Sequence, residues 1–184
     1  MKRILGLSCI FMLSACGTDS DGSSSGDSAA ESDYTIEAED GDATFDFRLI
    51  SEKDIYQKGE KVRVKATLTN NSEKDIDIEH GGTWLWLDTK NLTENYEFQS
   101  AMEQPLITTT IESGETITHD YHFSGGSYVE GMPGEPYSDK VFTQMGTLEF
   151  PKSQYEIDAK TDFNIAGSDE KFEFTGTIGF EVTD

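Results

Sequence analysis

Apolar residues through the C-terminal three-quarters of this chain fall on every second position, and that period constrains the fold to strands. Phe45, Phe47 and Leu49 share one parity. Val62, Val64, Ala66 and Leu68 share another, with Lys61, Arg63, Lys65 and Thr67 between and beside them. Ile117, His119, Tyr121 and Phe123 make a third set, and Phe172, Phe174, Ile178, Phe180 and Val182 a fourth. Successive side chains of a strand point to opposite faces, so each set predicts a strand with one buried face. No window carries a comparable helical stripe.

Turn chemistry separates these runs: Lys58-Gly59-Glu60, Asn70-Asn71-Ser72-Glu73, His80-Gly81-Gly82, Ser113-Gly114-Glu115 and Gly167-Ser168-Asp169. Trp84 and Trp86 occupy one parity and Leu85 and Leu87 the other, so both faces of that strand are apolar and the tryptophans are expected in the core. Asn70-Asn71-Ser72 and Asn91-Leu92-Thr93 have the form of glycosylation acceptors and read here as turns. Short one-faced strands joined this way predict an all-β fold, an antiparallel immunoglobulin-like β-sandwich of about seven to nine strands. Residues 44–184, about 140 in number, have the length of one domain.

The N-terminus has a different character. Lys2 and Arg3 precede an apolar run from Ile4 to Leu13, which is about ten residues where a membrane span needs roughly twenty. The run closes on Leu13-Ser14-Ala15-Cys16. This stretch closely resembles the signal peptides of bacterial lipoproteins. The resemblance implies cleavage between Ala15 and Cys16, a diacylglyceryl thioether on Cys16, and a location at the extracytoplasmic face of the cell membrane, held there by lipid. More than one acyl chain is needed for a stable hold. The excess of Lys over Arg and the long segment that follows point to a Gram-positive envelope. With Cys9 removed in the signal and Cys16 consumed by lipid, the body has no thiol for a disulfide or a thiolate metal site.

Residues 16–43 form the lipidated N-terminus and an acidic, Ser/Gly-rich stretch in which Tyr34 and Ile36 are the only sizeable apolar side chains. Such a composition buries too little surface to offset its ordering entropy, which predicts a disordered tether spanning roughly 30 Å on average. The chain carries a net charge of −22, and losing Lys2 and Arg3 with the signal takes it to −24. That surface repels phosphate backbones and excludes nucleic acid as a partner.

Chemistry-bearing patterns are sparse. On strand parity His119 and His122 point to opposite faces, which sets them apart as metal ligands. Met102, Met132 and Met145 lack the clustered spacing of a thioether copper site, and no metal or cofactor is expected. No Gly-x-Ser-x-Gly, Ser-x-x-Lys or His-Glu-x-x-His run occurs, and no catalytic residue is assigned. The expected working surface is the long connection from Ser124 to about Gly146. Tyr128, Met132 and Tyr137 offer contact surface there, and Pro133 limits the freedom lost on binding.

A strand from Lys61 to Thr69 leads into the turn Asn70-Asn71-Ser72-Glu73-Lys74-Asp75. An Ile76/Ile78 strand, an aromatic strand at Trp84/Trp86 and the turn Glu112-Ser113-Gly114-Glu115 follow. In these features the stretch from about Phe45 to Phe123 resembles the BsuPI-like family, named for an intracellular proteinase inhibitor. The resemblance implies a β-sandwich and inhibition of exported proteases, and it assigns no inhibitory residue. The residues themselves point to a non-enzymatic binding module of the cell envelope, with a protein, peptide or cell-wall partner.

Overall fold

The alternating sets bury the faces that their parity predicts. A computed structural model of the protein describes residues 36–101, 105–125 and 136–184, all within one compact unit. Phe45, Phe47 and Leu49 are fully buried along β2 (Phe45–Ser51), as are Ala66 and Leu68 along β4 (Val64–Asn70). Together with β1 (Ile36–Gly41) and β8 (Thr116–Asp120) these form an antiparallel sheet in the order β1-β2-β4-β8.

The second sheet runs in the order β3 (Ile55–Gln57), β11 (Thr175–Thr183), β9 (Ser153–Ile165), β5 (Ile76–Asn91), β6 (Tyr96–Phe98). Two further strands complete it: β7 (Ile107–Ile111) pairs with the first residues of β5, and β10 (Lys171–Phe172) with the end of β9. Every pairing is antiparallel except β3 with β11. The chain changes sheets between β2 and β3 and again before β4 and β5, so that strands distant in sequence become neighbours. The result is the expected immunoglobulin-like sandwich. Its interior joins Phe45, Phe47, Leu49 and Leu68 of one sheet to Leu85, Tyr155, Ile157, Phe163, Ile178 and Phe180 of the other. Each such side chain contributes about 1.5–3 kcal/mol by leaving water.

Several expectations are corrected. Eleven strands form among the described residues, not seven to nine, the excess being met by the two- and three-residue strands β3, β6 and β10. The tether, expected to run to residue 43, gives way to β1 at Ile36. Glu39 of β1 sits opposite Arg48 of β2, whose guanidinium lies 3.0 Å from Glu37 and 3.3 Å from Glu39, so cross-strand charge supplies what apolar residues do not. Residues 1–35 lie outside the described residues, and with them the signal, Cys16 and most of the expected tether.

His80-Gly81-Gly82 is not a turn. It lies inside the sixteen-residue β5, where the register against β9 shifts between His80 and Leu85 in a bulge. The bulge separates the two tryptophans. Trp84 enters the core and meets the edge of Phe47 at 6.4 Å, whereas Trp86 faces outward and donates from Nε1 to Asp162 Oδ2 at 3.2 Å. The other turns are as expected: Gly59, Gly114 and Gly167 each hold the positive φ that their turns require.

Candidate functional site

The connection after β8, expected to be a loop, contains a helix. Ser138 caps α1 (Asp139–Gly146): its hydroxyl accepts from Val141 N at 3.4 Å, and Asp139 places negative charge in the first turn. Val141 and Met145, four residues apart, turn to the core. Leu148 ends the helix in the left-handed region at φ 64°. Its N–H donates to the Met145 carbonyl at 2.9 Å and its carbonyl accepts from Val62 N at 2.9 Å.

This helix carries one wall of an aromatic cluster. Phe98 of β6 stands at its centre, 4.4 Å from the ring of Tyr137 and 5.1 Å from that of Phe123. Tyr96 packs on Tyr137 at 6.0 Å, and Phe142 closes the cluster 5.5 Å from Phe123 and nearly parallel to Tyr137. Gly125, at φ 79°, lies under Phe142 so closely that a Cβ would come within 2.8 Å of the ring. The Tyr137 hydroxyl is buried without a hydrogen-bond partner among the described residues, and burial pushes its pKa up. Phe142 remains 41% exposed, so the cluster presents apolar aromatic surface at one end of the sandwich.

Of the predicted loop residues, Tyr128, Met132 and Pro133 lie outside the described residues. Tyr137 belongs to the cluster as a packed, half-buried wall and not as a free loop contact. Phe142, the exposed ring, escaped the sequence reading. The signal for it was the Ser138-Asp139 start followed by Val141 and Met145 at helical spacing.

Beside the cluster, a second feature lies along the seam between β5 and β8. The chain leaves the sheet after Asp120, so strand parity no longer governs His122, and its ring lies 5.3 Å from that of His119. The expectation that the two point to opposite faces is thereby overturned. They line a small cleft of about 30 Å³ with Thr83, Leu85, Trp86, Ser100 and Ser124. Burial lowers the His119 pKa, the neighbouring His122 imidazole lowers it further, and Asp120 opposes both. Among the described residues no group of three or more His, Cys, Asp or Glu side chains is placed to hold a metal, and no helix is long and apolar enough to cross a membrane. An open acidic hollow at Glu39, Asp40, Asp42 and Asp46 is turn chemistry. Asp42 Oδ1 accepts from Thr44 N and Phe45 N, and Asp40 Oδ2 accepts from Thr175 N.

No protein-family model matches the chain, and no curated protein matches it. Among solved structures it is similar to the Pseudomonas fluorescens alkylpurine DNA glycosylase AlkC bound to DNA containing an abasic site analog, at 10% identity and a TM-score of 0.33. That match covers 77% of this chain and 31% of the other. It is also similar to a beta-glucosidase from Listeria innocua in complex with gluconolactone, at 16% identity and a TM-score of 0.34, over 76% of this chain and 16% of the other. The chain thus spans a third or less of the length of these proteins, and likenesses this loose carry no argument about activity.

Proposed function

We propose that the protein is a lipid-anchored lipoprotein of the extracytoplasmic membrane face, acting without catalysis as a binding module for a protein, peptide or cell-wall partner. The anchoring half rests on Leu13-Ser14-Ala15-Cys16 behind a short apolar run. The binding half rests on one observation, the aromatic cluster of Tyr96, Phe98, Phe123, Tyr137 and Phe142 at one end of the sandwich, whose Phe142 ring is exposed. Aromatic side chains supply large contact area at low entropic cost and are enriched at the cores of interfaces.

Each half has its own test. Mass spectrometry of the protein purified from membranes reads the anchor: a diacylglyceryl-modified Cys16 at the mature N-terminus is expected, and an unmodified sulfur on an uncleaved chain refutes it. Cross-linking in intact envelopes, comparing the wild type with Phe142→Ser, reads the contact surface. The variant is expected to lose its cross-linked partner while keeping its thermal midpoint within a few degrees. The same partner at the same yield would remove the cluster from the binding surface.

A further inference from the structure

The three histidines are spent differently. His80 is a structural residue with both nitrogens occupied: Nδ1 lies 2.8 Å from the Gly81 carbonyl and Nε2 lies 2.9 Å from Thr109 Oγ1. His119 has only Nδ1 engaged, at 3.5 Å from Thr83 Oγ1, and its Nε2 has no partner among the described residues. His122 is exposed, with neither nitrogen hydrogen-bonded among them. The two under-used imidazoles lie side by side, 5.3 Å between ring centroids, on the wall of one cleft.

The cleft, of about 30 Å³, has room for a water molecule or a single ion. Its polar lining is two imidazoles and the hydroxyls of Thr83, Ser100 and Ser124, a nitrogen-bearing set that Ca²⁺ and Mg²⁺ do not seek. The Thr83 contact on Nδ1 is of the kind that fixes a ligating imidazole's orientation through its second nitrogen. Trp84 packs against His119 in a T-shaped contact at 6.4 Å. A chain of net charge −22 also concentrates cations at its surface.

We infer that His119 and His122 form a two-imidazole site for a divalent first-row transition-metal ion, with water completing the coordination shell. Imidazole suits Zn²⁺, Cu²⁺ and Ni²⁺, and two side-chain ligands make the loss of either one severe. Phe123 and Ser124, which follow His122 directly, lie in the aromatic cluster and in the cleft, so an ion here sits next to the surface proposed to bind partners.

The test is a Zn²⁺ titration of the full chain in detergent, with excess Mg²⁺ occupying the carboxylates and the three imidazoles followed by nitrogen-15 NMR. His119 and His122 are expected to shift together and saturate at one equivalent while His80 stays in place. His122→Ala removes an exposed side chain that carries no hydrogen bond among the described residues, and it should weaken binding at least tenfold with the other resonances of the fold unchanged. His119→Gln should do the same. Equal movement of all three rings, no movement at all, or wild-type affinity in His122→Ala would each overturn the site.

Discussion

At the residue scale, a few buried polar side chains tie the strand ends together. The Asn70 side chain donates from Nδ2 to the carbonyls of Lys74 at 2.8 Å and Ile111 at 3.0 Å, and accepts on Oδ1 from Ser72 N at 3.0 Å. Asn91 does the same at the other end of β5, accepting from Glu94 N at 2.8 Å and from Ser153 Oγ at 2.7 Å. Thr161, fully buried in β9, spans the break between β10 and β11: its hydroxyl accepts from Phe174 N at 2.7 Å and donates to the Phe172 carbonyl at 3.2 Å. Thr161→Val keeps the volume and strands both backbone groups, so it should cost about 1–3 kcal/mol. Thr161→Ser keeps the hydroxyl and should recover most of that. Urea midpoints of the two variants decide it, and equal midpoints would show that water replaces the hydroxyl. Gly125 is a second sensitive position. An alanine there meets a positive φ and the ring of Phe142 together, so Gly125→Ala should lose about 1–3 kcal/mol and shift the Phe142 ring resonances. Unchanged Phe142 resonances would contradict the close packing.

At the scale of elements, β1 is held differently from the rest of its sheet. Its outward carboxylates converge on Arg48, which also lies 3.0 Å from Asp46, and these pairs are solvent-exposed. Exposed pairs contribute about 0–1 kcal/mol each, so removing all three with Arg48→Met should lower global stability by less than about 3 kcal/mol. Local opening of β1 should increase far more, because an edge strand frays without unfolding the core. Hydrogen exchange checks this: β1 amides should accelerate at least several-fold while β9 amides follow only the global change. Parallel acceleration of both would mean that β1 opens only with the whole domain. The same element shows why sequence patterning reached some strands and not others. β2, β4 and β11 advertise themselves through large apolar residues on one parity, and their glycine turns were equally plain. In β1 the inward side is marked by little more than Ala38, and what orders the strand is a charge on its neighbour. β9, the central strand of the larger sheet, is fainter for another reason: between Ile157 and Phe163 its inward positions are the small Ala159 and the polar Thr161, which weakens the apolar half of the alternation. Parity failed outright at His122 because it holds only while the chain stays in the sheet. The aromatic cluster was legible only at Tyr137, since Tyr96 and Phe98 come from across the fold.

For the whole molecule, the buried phenols set the alkaline limit of stability. Burial pushes the pKa of Tyr121 well above its ordinary value, offset in part by its hydrogen bond with Thr89 at 2.7 Å. Burial does the same to Tyr155, which hydrogen-bonds with Asn91 and donates to the Pro151 carbonyl at 2.8 Å. Unfolded, both ionise near pH 10. Above that the unfolded chain binds fewer protons than the folded one, so stability is fully present below about pH 10 and falls as pH rises. Each withheld phenol steepens the loss by up to about 1.4 kcal/mol per pH unit. Repulsion within a chain of net charge −22 has the same sign, because lysines lose their charge over the same range. Salt separates the two. At 1 M ionic strength the Debye length shrinks to about 3 Å and screens the surface charges, while a buried phenol is barely affected. Urea midpoints between pH 8 and 11.5 in 1 M salt should therefore still fall with pH, and because Tyr137 is also raised by burial, Tyr121→Phe should lose about a third to a half of the slope. If high salt flattened the wild-type profile, surface repulsion and not the core tyrosines would limit the fold in alkali.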